Sequence, residues 1–98
     1  MAAHVLALVC DLRVPASTSL KDKRAVVQTI CDGARRRFGV AAAETDSQDL
    51  HGRAELCFVA ASGTAAHTGE VVDAVERFVW SFPEVEVVQT ERSWTEFA

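Results

Sequence analysis

VAAAETDSQDLHGRAELCFVAA, running from Val40 to Ala61, holds two apolar segments separated by a polar connection. Val40 to about Thr45 reads as one strand and Arg53 to Ala61 as the next. In the second, Ala54, Leu56, Phe58 and Ala60 alternate with Arg53, Glu55, Cys57 and Val59, so each set lines one face of a sheet. The link Asp46-Ser47-Gln48-Asp49-Leu50-His51-Gly52 is too short for a parallel crossover. The pair is therefore an antiparallel hairpin, and its place in mid-chain decides the fold.

Outward from the hairpin, each side carries a helix and then a strand. Upstream, Ser19 precedes acidic Asp22 by three positions, a near capping box that starts helix one. Val27, Ile30, Cys31, Ala34 and Phe38 recur at helical spacing, and Arg35, Arg36 and Arg37 suit the last turn. Gly39 is the expected stop. Gly33 costs the helix about 1 kcal/mol relative to alanine, which suggests a close approach to the sheet. Before this helix, His4 to Val14 reads as strand one, with Leu6, Leu8, Cys10 and Leu12 on one face and Val5, Ala7, Val9, Asp11 and Arg13 on the other.

Downstream, Ser62-Gly63-Thr64 turns into helix two, whose stripe is Val71, Val72, Val75, Phe78, Val79 and Phe82 before Pro83 ends it. Val85 to Thr90 is strand four, and Glu91 to Ala98 reads as a tail of uncertain order. The order strand–helix–strand–strand–helix–strand is the ferredoxin-like split βαβ arrangement. It predicts one α+β domain over residues 1–98, with a four-stranded antiparallel sheet and both helices on one face.

Composition narrows the function. With 49% hydrophobic residues the chain builds a genuine core. Ten Lys and Arg against fourteen Asp and Glu leave a net charge of −4, so no general electrostatic grip on nucleic acid is expected, and any RNA contact needs a local patch. The longest apolar runs, Val5–Cys10 and Leu56–Ala61, are six residues each, against about 20 for a membrane span. The N-terminus lacks a basic leader and runs into Asp11, Arg13 and Pro15, so a cytoplasmic protein is expected. Cys10, Cys31 and Cys57 form no CxxC pair and read as reduced, structural thiols.

Three stretches carry a family resemblance. Ser19-Leu20-Lys21-Asp22-Lys23-Arg24 is similar to an S-L-K-[ED]-K-R signature. Arg37-Phe38-Gly39-Val40, Ala43-Glu44, Asp46-Ser47-Gln48-Asp49-Leu50 and Arg53-Ala54 match a central stretch, and Pro83-Glu84-Val85-Glu86-Val87-Val88 with Glu91-Arg92 a closing strand. Together these resemble the YlxP-like family of small bacterial proteins, a domain of unknown function, over about His4 to Arg92. The resemblance implies a ferredoxin-like fold and a bacterial, cytoplasmic protein. It also implies a gene often placed among those for translation initiation factor two and ribosome-binding factor A. The chain departs from the pattern at His51-Gly52, where members carry an aromatic residue and Gln, and at Trp80 and Phe82, where polar residues are usual.

Three groups of residues are candidates for function. Lys21, Lys23 and Arg24 put cations at the mouth of helix one, where they could hold RNA phosphates or another anion; alternatively Lys23 or Arg24 pairs with Glu44 or Asp46. Glu44, Asp46, Gln48, Asp49, His51 and Arg53 surround one connection and could form an acid–base or ligand site. Their spacing matches no metal motif. The competing account is a hydrogen-bonded loop in which Asp49 caps the turn and Arg53 meets a carboxylate. Finally, Val5, Ala7 and Val9 with Cys57 and Val59 make the uncovered side of the sheet apolar at its middle, which predicts a homodimer, with Trp80 and Trp94 adding to the interface.

No catalytic residue, metal site or cofactor is assigned. His4 and His67 lack ligand-spaced partners, there is no Gly-rich phosphate loop, and Phe58 is the only ring on strands one and three. The leading expectation is a non-catalytic accessory protein linked to translation or ribosome assembly, contacting RNA, the ribosome or a translation factor. A small enzyme or ligand-binding dimer built on the 44–53 loop, and a pure dimerisation module, are the alternatives.

Overall fold

The computed structural model describes residues 2–97. Its elements run β1 (Ala3–Arg13), α1 (Leu20–Phe38), β2 (Ala41–Asp46), β3 (Arg53–Ser62), α2 (Ala65–Trp80) and β4 (Glu86–Phe97). All neighbouring strands are antiparallel, in the order β2-β3-β1-β4. This is the ferredoxin-like α+β arrangement that the hairpin and flanking helices predict.

The alternation in β1 and β3 becomes the core. Leu6, Leu8, Cys10 and Leu12 lie beside Ala60, Phe58, Leu56 and Ala54, all buried under the helices. Val27, Ile30, Cys31 and Ala34 of α1 and Val72, Val75 and Val79 of α2 close over them. Val5, Ala7, Val9, Cys57 and Val59 point to the opposite face, which no element among the described residues covers.

The helix ends follow the local chemistry. The Ser19 hydroxyl accepts from the Asp22 amide at 3.1 Å, while the Asp22 carboxylate reaches back to the Thr18 amide and hydroxyl at 3.1 and 2.9 Å. The amide bond from Thr18 favours the charged form most, and holds the Asp22 carboxyl below its usual range. Gly39 ends α1 in the left-handed region, φ 66°, with its amide donating to the Arg35 carbonyl.

Gly33 serves a close approach, though not to the sheet. A Cβ placed there would lie 2.6 Å from the Phe78 ring of α2. That ring is wedged edge-on between Phe38 and Phe82, with centroids 5.6 and 5.0 Å away. The missing side chain lets the two helices pack.

β4 corrects the sequence reading most. It runs to Phe97, so Glu91–Phe97 is strand paired with β1 down to Ala3, not a tail; Ala98 lies outside the described residues. Thr90, Arg92, Trp94 and Glu96 face the helix side. There Arg92 donates to Asp73 and Glu76 of α2 at 2.8 and 3.2 Å, and Trp94 passes beside Gly69. Side chains tied to a helix by charge and by one ring carry no apolar alternation, so periodicity missed them.

The two sheet edges differ. On β2, six residues long, the Ala42 carbonyl accepts from the Arg35 guanidinium and the Glu44 carbonyl from Gln48 Nε2 at 3.4 Å. β4 is twelve residues long, without Pro or Gly. Among the described residues no hydrogen bond outside the sheet ladder reaches its backbone.

Candidate functional site

The basic cluster divides on folding. Lys21 and Arg24 stand in solvent, but Lys23 is fully buried. Its Nζ donates to the Ser47 carbonyl at 2.7 Å and the Gln48 carbonyl at 3.2 Å, and lies 2.8 Å from Glu44 Oε2. The Glu44 contact falls outside hydrogen-bonding angles, so charge rather than a directed bond holds that carboxylate. Lys23 is thus a clamp from α1 onto β2 and the loop beyond it, and only Lys21 and Arg24 remain to meet an anion.

The 44–53 group also divides. Glu44 shares the helix side of β2 with Ala42 and is held by Lys23. His51 Nδ1 lies 3.1 Å from the Ser17 carbonyl, tying the loop to the β1–α1 connection. The Leu50 amide closes the turn onto the Ser47 carbonyl, Ser47 takes a left-handed conformation (φ 63°), and Asp49 stands exposed rather than capping it. Asp46 and Arg53 turn to the open face of the sheet, where Arg53 meets Asp11 at 2.8 Å. Among the described residues no three His, Cys, Asp or Glu side chains gather to hold a metal ion. Acid, base and imidazole do not converge.

What does converge is a surface. On the open face Val5 lies beside Ala61, Ala7 beside Val59, and Val9 beside Cys57. Ala41 and Ala43 of β2 flank Val59 and Cys57. The side chains are small and apolar. One end of it opens into a shallow cleft of about 350 Å³ lined by Val9, Asp11, Asp46, Ser47, Arg53, Glu55, Gln89 and Glu91. Four carboxylates against one guanidinium make that end acidic. Asp11, Glu55, Gln89 and Glu91 were not legible as neighbours, because only the strand register brings them together.

Trp80 is not part of this face. It stands on α2 in a groove with Asp73, Glu76, Arg77, Ser81 and Arg92, on the helical side of the molecule. Cys57 is the one thiol on the open face, while Cys10 and Cys31 are buried in the core. Burial pushes the Cys10 thiol up to about 12, and raises Cys31 and Cys57 in the same direction.

Residues 5–92 match the family described as protein of unknown function (DUF503). The chain belongs to that family. The Bacillus subtilis (strain 168) protein described as "Uncharacterized protein YlxP" is 32% identical over 85 residues, 87% of this chain and 92% of the relative. The YlxP-like resemblance of the three stretches is therefore a true membership. The DUF503 match takes in the Lys23–Glu44 clamp and the apolar block, and stops at Arg92, within β4. No helix is long and apolar enough to cross a membrane among the described residues.

Proposed function

We propose that this protein is a non-catalytic accessory protein that works as a homodimer joined through the open faces of two sheets. One observation carries the reading: an antiparallel sheet bare on one side is normally polar there, and this one is apolar at its middle. The occupant that fits is a second copy. Small apolar side chains on two such faces suit the spacing of about 10 Å at which sheets pack.

The patch spans three strands and five positions, about 14 by 17 Å at the usual strand spacing and rise, roughly 240 Å² per copy. Pairing two removes about 500 Å² from this patch, so the contact is a weak one unless the flanking polar residues join it. Charge selects the orientation. A two-fold axis along the strands would stack the acidic ends on each other; an axis across the strands separates them.

The non-catalytic part is supported by the dispersal of Glu44, His51, Asp46 and Arg53 to different tasks. A role in translation or ribosome assembly, in the reducing cytoplasm, belongs to the same proposal. It rests on the gene neighbourhood that the family resemblance implies, and Lys21 and Arg24 are the exposed cations that the mouth of α1 offers it.

Cys57 reports on the face directly, since the other two thiols are in the core. In concentrated protein it is expected to react with a thiol reagent at least about tenfold more slowly than in dilute protein. Val9→Glu, beside Cys57 in the ladder, is expected to remove that dependence on concentration, although the new carboxylate lowers the intrinsic rate. A Cys57 rate independent of concentration in the unmutated protein would overturn the face contact.

A further inference from the structure

We propose that the outer edge of β4 pairs antiparallel with β4 of a second copy, joining two sheets into one of eight strands, with Ser93 facing the partner's Ser93 on the two-fold axis. Sheet edges in natural proteins are blocked or used. Here Arg35 and Gln48 cap two carbonyls on the edge of β2, while β4, paired with β1 along one side, leaves the outward amides and carbonyls of its other side without a partner.

The register follows from parity and charge. Antiparallel partners directly opposite share a face, so the axis passes through a residue, not between two. Centring on Glu91 sets carboxylate against carboxylate, and centring on Arg92 sets guanidinium against guanidinium. Centring on Thr90 draws in the irregularity where the ladder to β1 skips Val88. Centring on Trp94 brings the partner's Glu96 onto an arginine already holding Asp73 and Glu76. Centring on Ser93 faces no like charges. It pairs Gln89 to Phe97, and puts Arg92 across from the partner's Trp94, a cation beside an aromatic ring, twice over. Trp94 is 45% exposed in the single chain, so it has surface to lose.

A second observation agrees with this register. Ser93 lies opposite Ala7, and Ala7 is the middle of the apolar block Val5, Ala7, Val9. The edge axis is normal to the sheet, and the proposed face axis runs parallel to it at the same level. Two perpendicular two-fold axes that meet close into a tetramer with D2 symmetry. The edge contact does not depend on the face contact.

Light scattering on the full chain separates the two. Four chains are expected for the unmutated protein, two for Val9→Glu and two for Trp94→Lys, which sets lysine against the partner's Arg92. One chain is expected for the double variant. A mass unchanged by Trp94→Lys overturns the edge and leaves the face standing. A two-chain mass lost with Trp94→Lys, alongside a Cys57 rate independent of concentration, keeps the edge and removes the face. A single-chain mass for the unmutated protein ends both.

Cross-linking checks the register without relying on a destabilised variant. In a Cys57→Ser, Val9→Glu background, Ser93→Cys is expected to form an intermolecular disulfide on oxidation. Opposed Cα atoms lie about 4.5–5.5 Å apart, within disulfide reach. Gln89→Cys, eight positions out of step with its own copy, is not expected to cross-link. Failure of Ser93→Cys to do so overturns the register and with it the proposal.

Discussion

Lys23→Met is expected to cost the protein about 3–5 kcal/mol, the range for breaking one side of a buried ion pair. Methionine keeps the length and apolar stem of lysine, so packing against the core is nearly unchanged. The charge and the ammonium's hydrogen bonds are lost. Glu44, 15% exposed at its side chain, is then left with a carboxylate facing the core side of β2 and no cation near it. The Ser47 and Gln48 carbonyls lose their donor at the same stroke. The residual exposure of Glu44 lets water reach part of the group and puts the loss toward the lower end of that range.

For a domain of this size each kcal/mol moves Tm by about 4–8 °C, so a fall of at least about 12 °C is expected on thermal unfolding. Lys21→Met, two positions away in solvent, should stay within about 0.5 kcal/mol. Glu44→Leu in the Lys23→Met background should recover part of the loss, since an apolar pair often replaces a buried ionic one at little cost. A Lys23→Met loss no larger than that of Lys21→Met would show that the clamp holds nothing.

Phe78→Ala is expected to cost about 3 kcal/mol, as a large aromatic side chain at the helix–helix seam is removed from between Phe38 and Phe82. The more telling outcome concerns Gly33. In the unmutated protein Gly33→Ala drives a methyl into the Phe78 ring, whose edge-on contacts with Phe38 and Phe82 oppose its moving aside. Overpacking of about 1–3 kcal/mol then outweighs the helix-propensity gain of about 1 kcal/mol, and the variant is less stable. With Phe78 truncated, the clash is gone and only the propensity gain remains. Gly33→Ala should therefore destabilise the unmutated protein and stabilise the Phe78→Ala protein, a change of sign read from urea unfolding. The same sign in both backgrounds would mean that Phe78 is not what keeps position 33 bare.

The elements that sequence made legible are those whose side chains meet the core. Leu6 to Leu12 and Ala54 to Ala60 alternate because one face is buried, and Ser19 and Gly39 mark helix ends because only certain residues satisfy those positions. Glu91–Phe97 was illegible because an edge strand meets α2 through Arg92 and one ring instead of an apolar row. The burial of Lys23 was illegible from its own neighbours, since Lys21, Lys23 and Arg24 look alike along a helix. A signal existed on the other partner. Glu44 has the same parity as Ala42 in a strand whose alternate face is core, and a carboxylate there calls for a cation. Trp80 was placed at the sheet interface on residue type alone, and the helix carrying it lies on the other side.

The contrast between the two sheet edges has a bearing on how large any assembly can grow. A sheet with two free edges adds copies without limit, each new strand offering the next a template. Here the second edge is occupied by the side chains of the same chain, Arg35 and Gln48 on the Ala42 and Glu44 carbonyls. With the proposed pairing at β4, these two side chains would oppose a further strand at the far edge, so that strand addition would stop after one step rather than start a fibre.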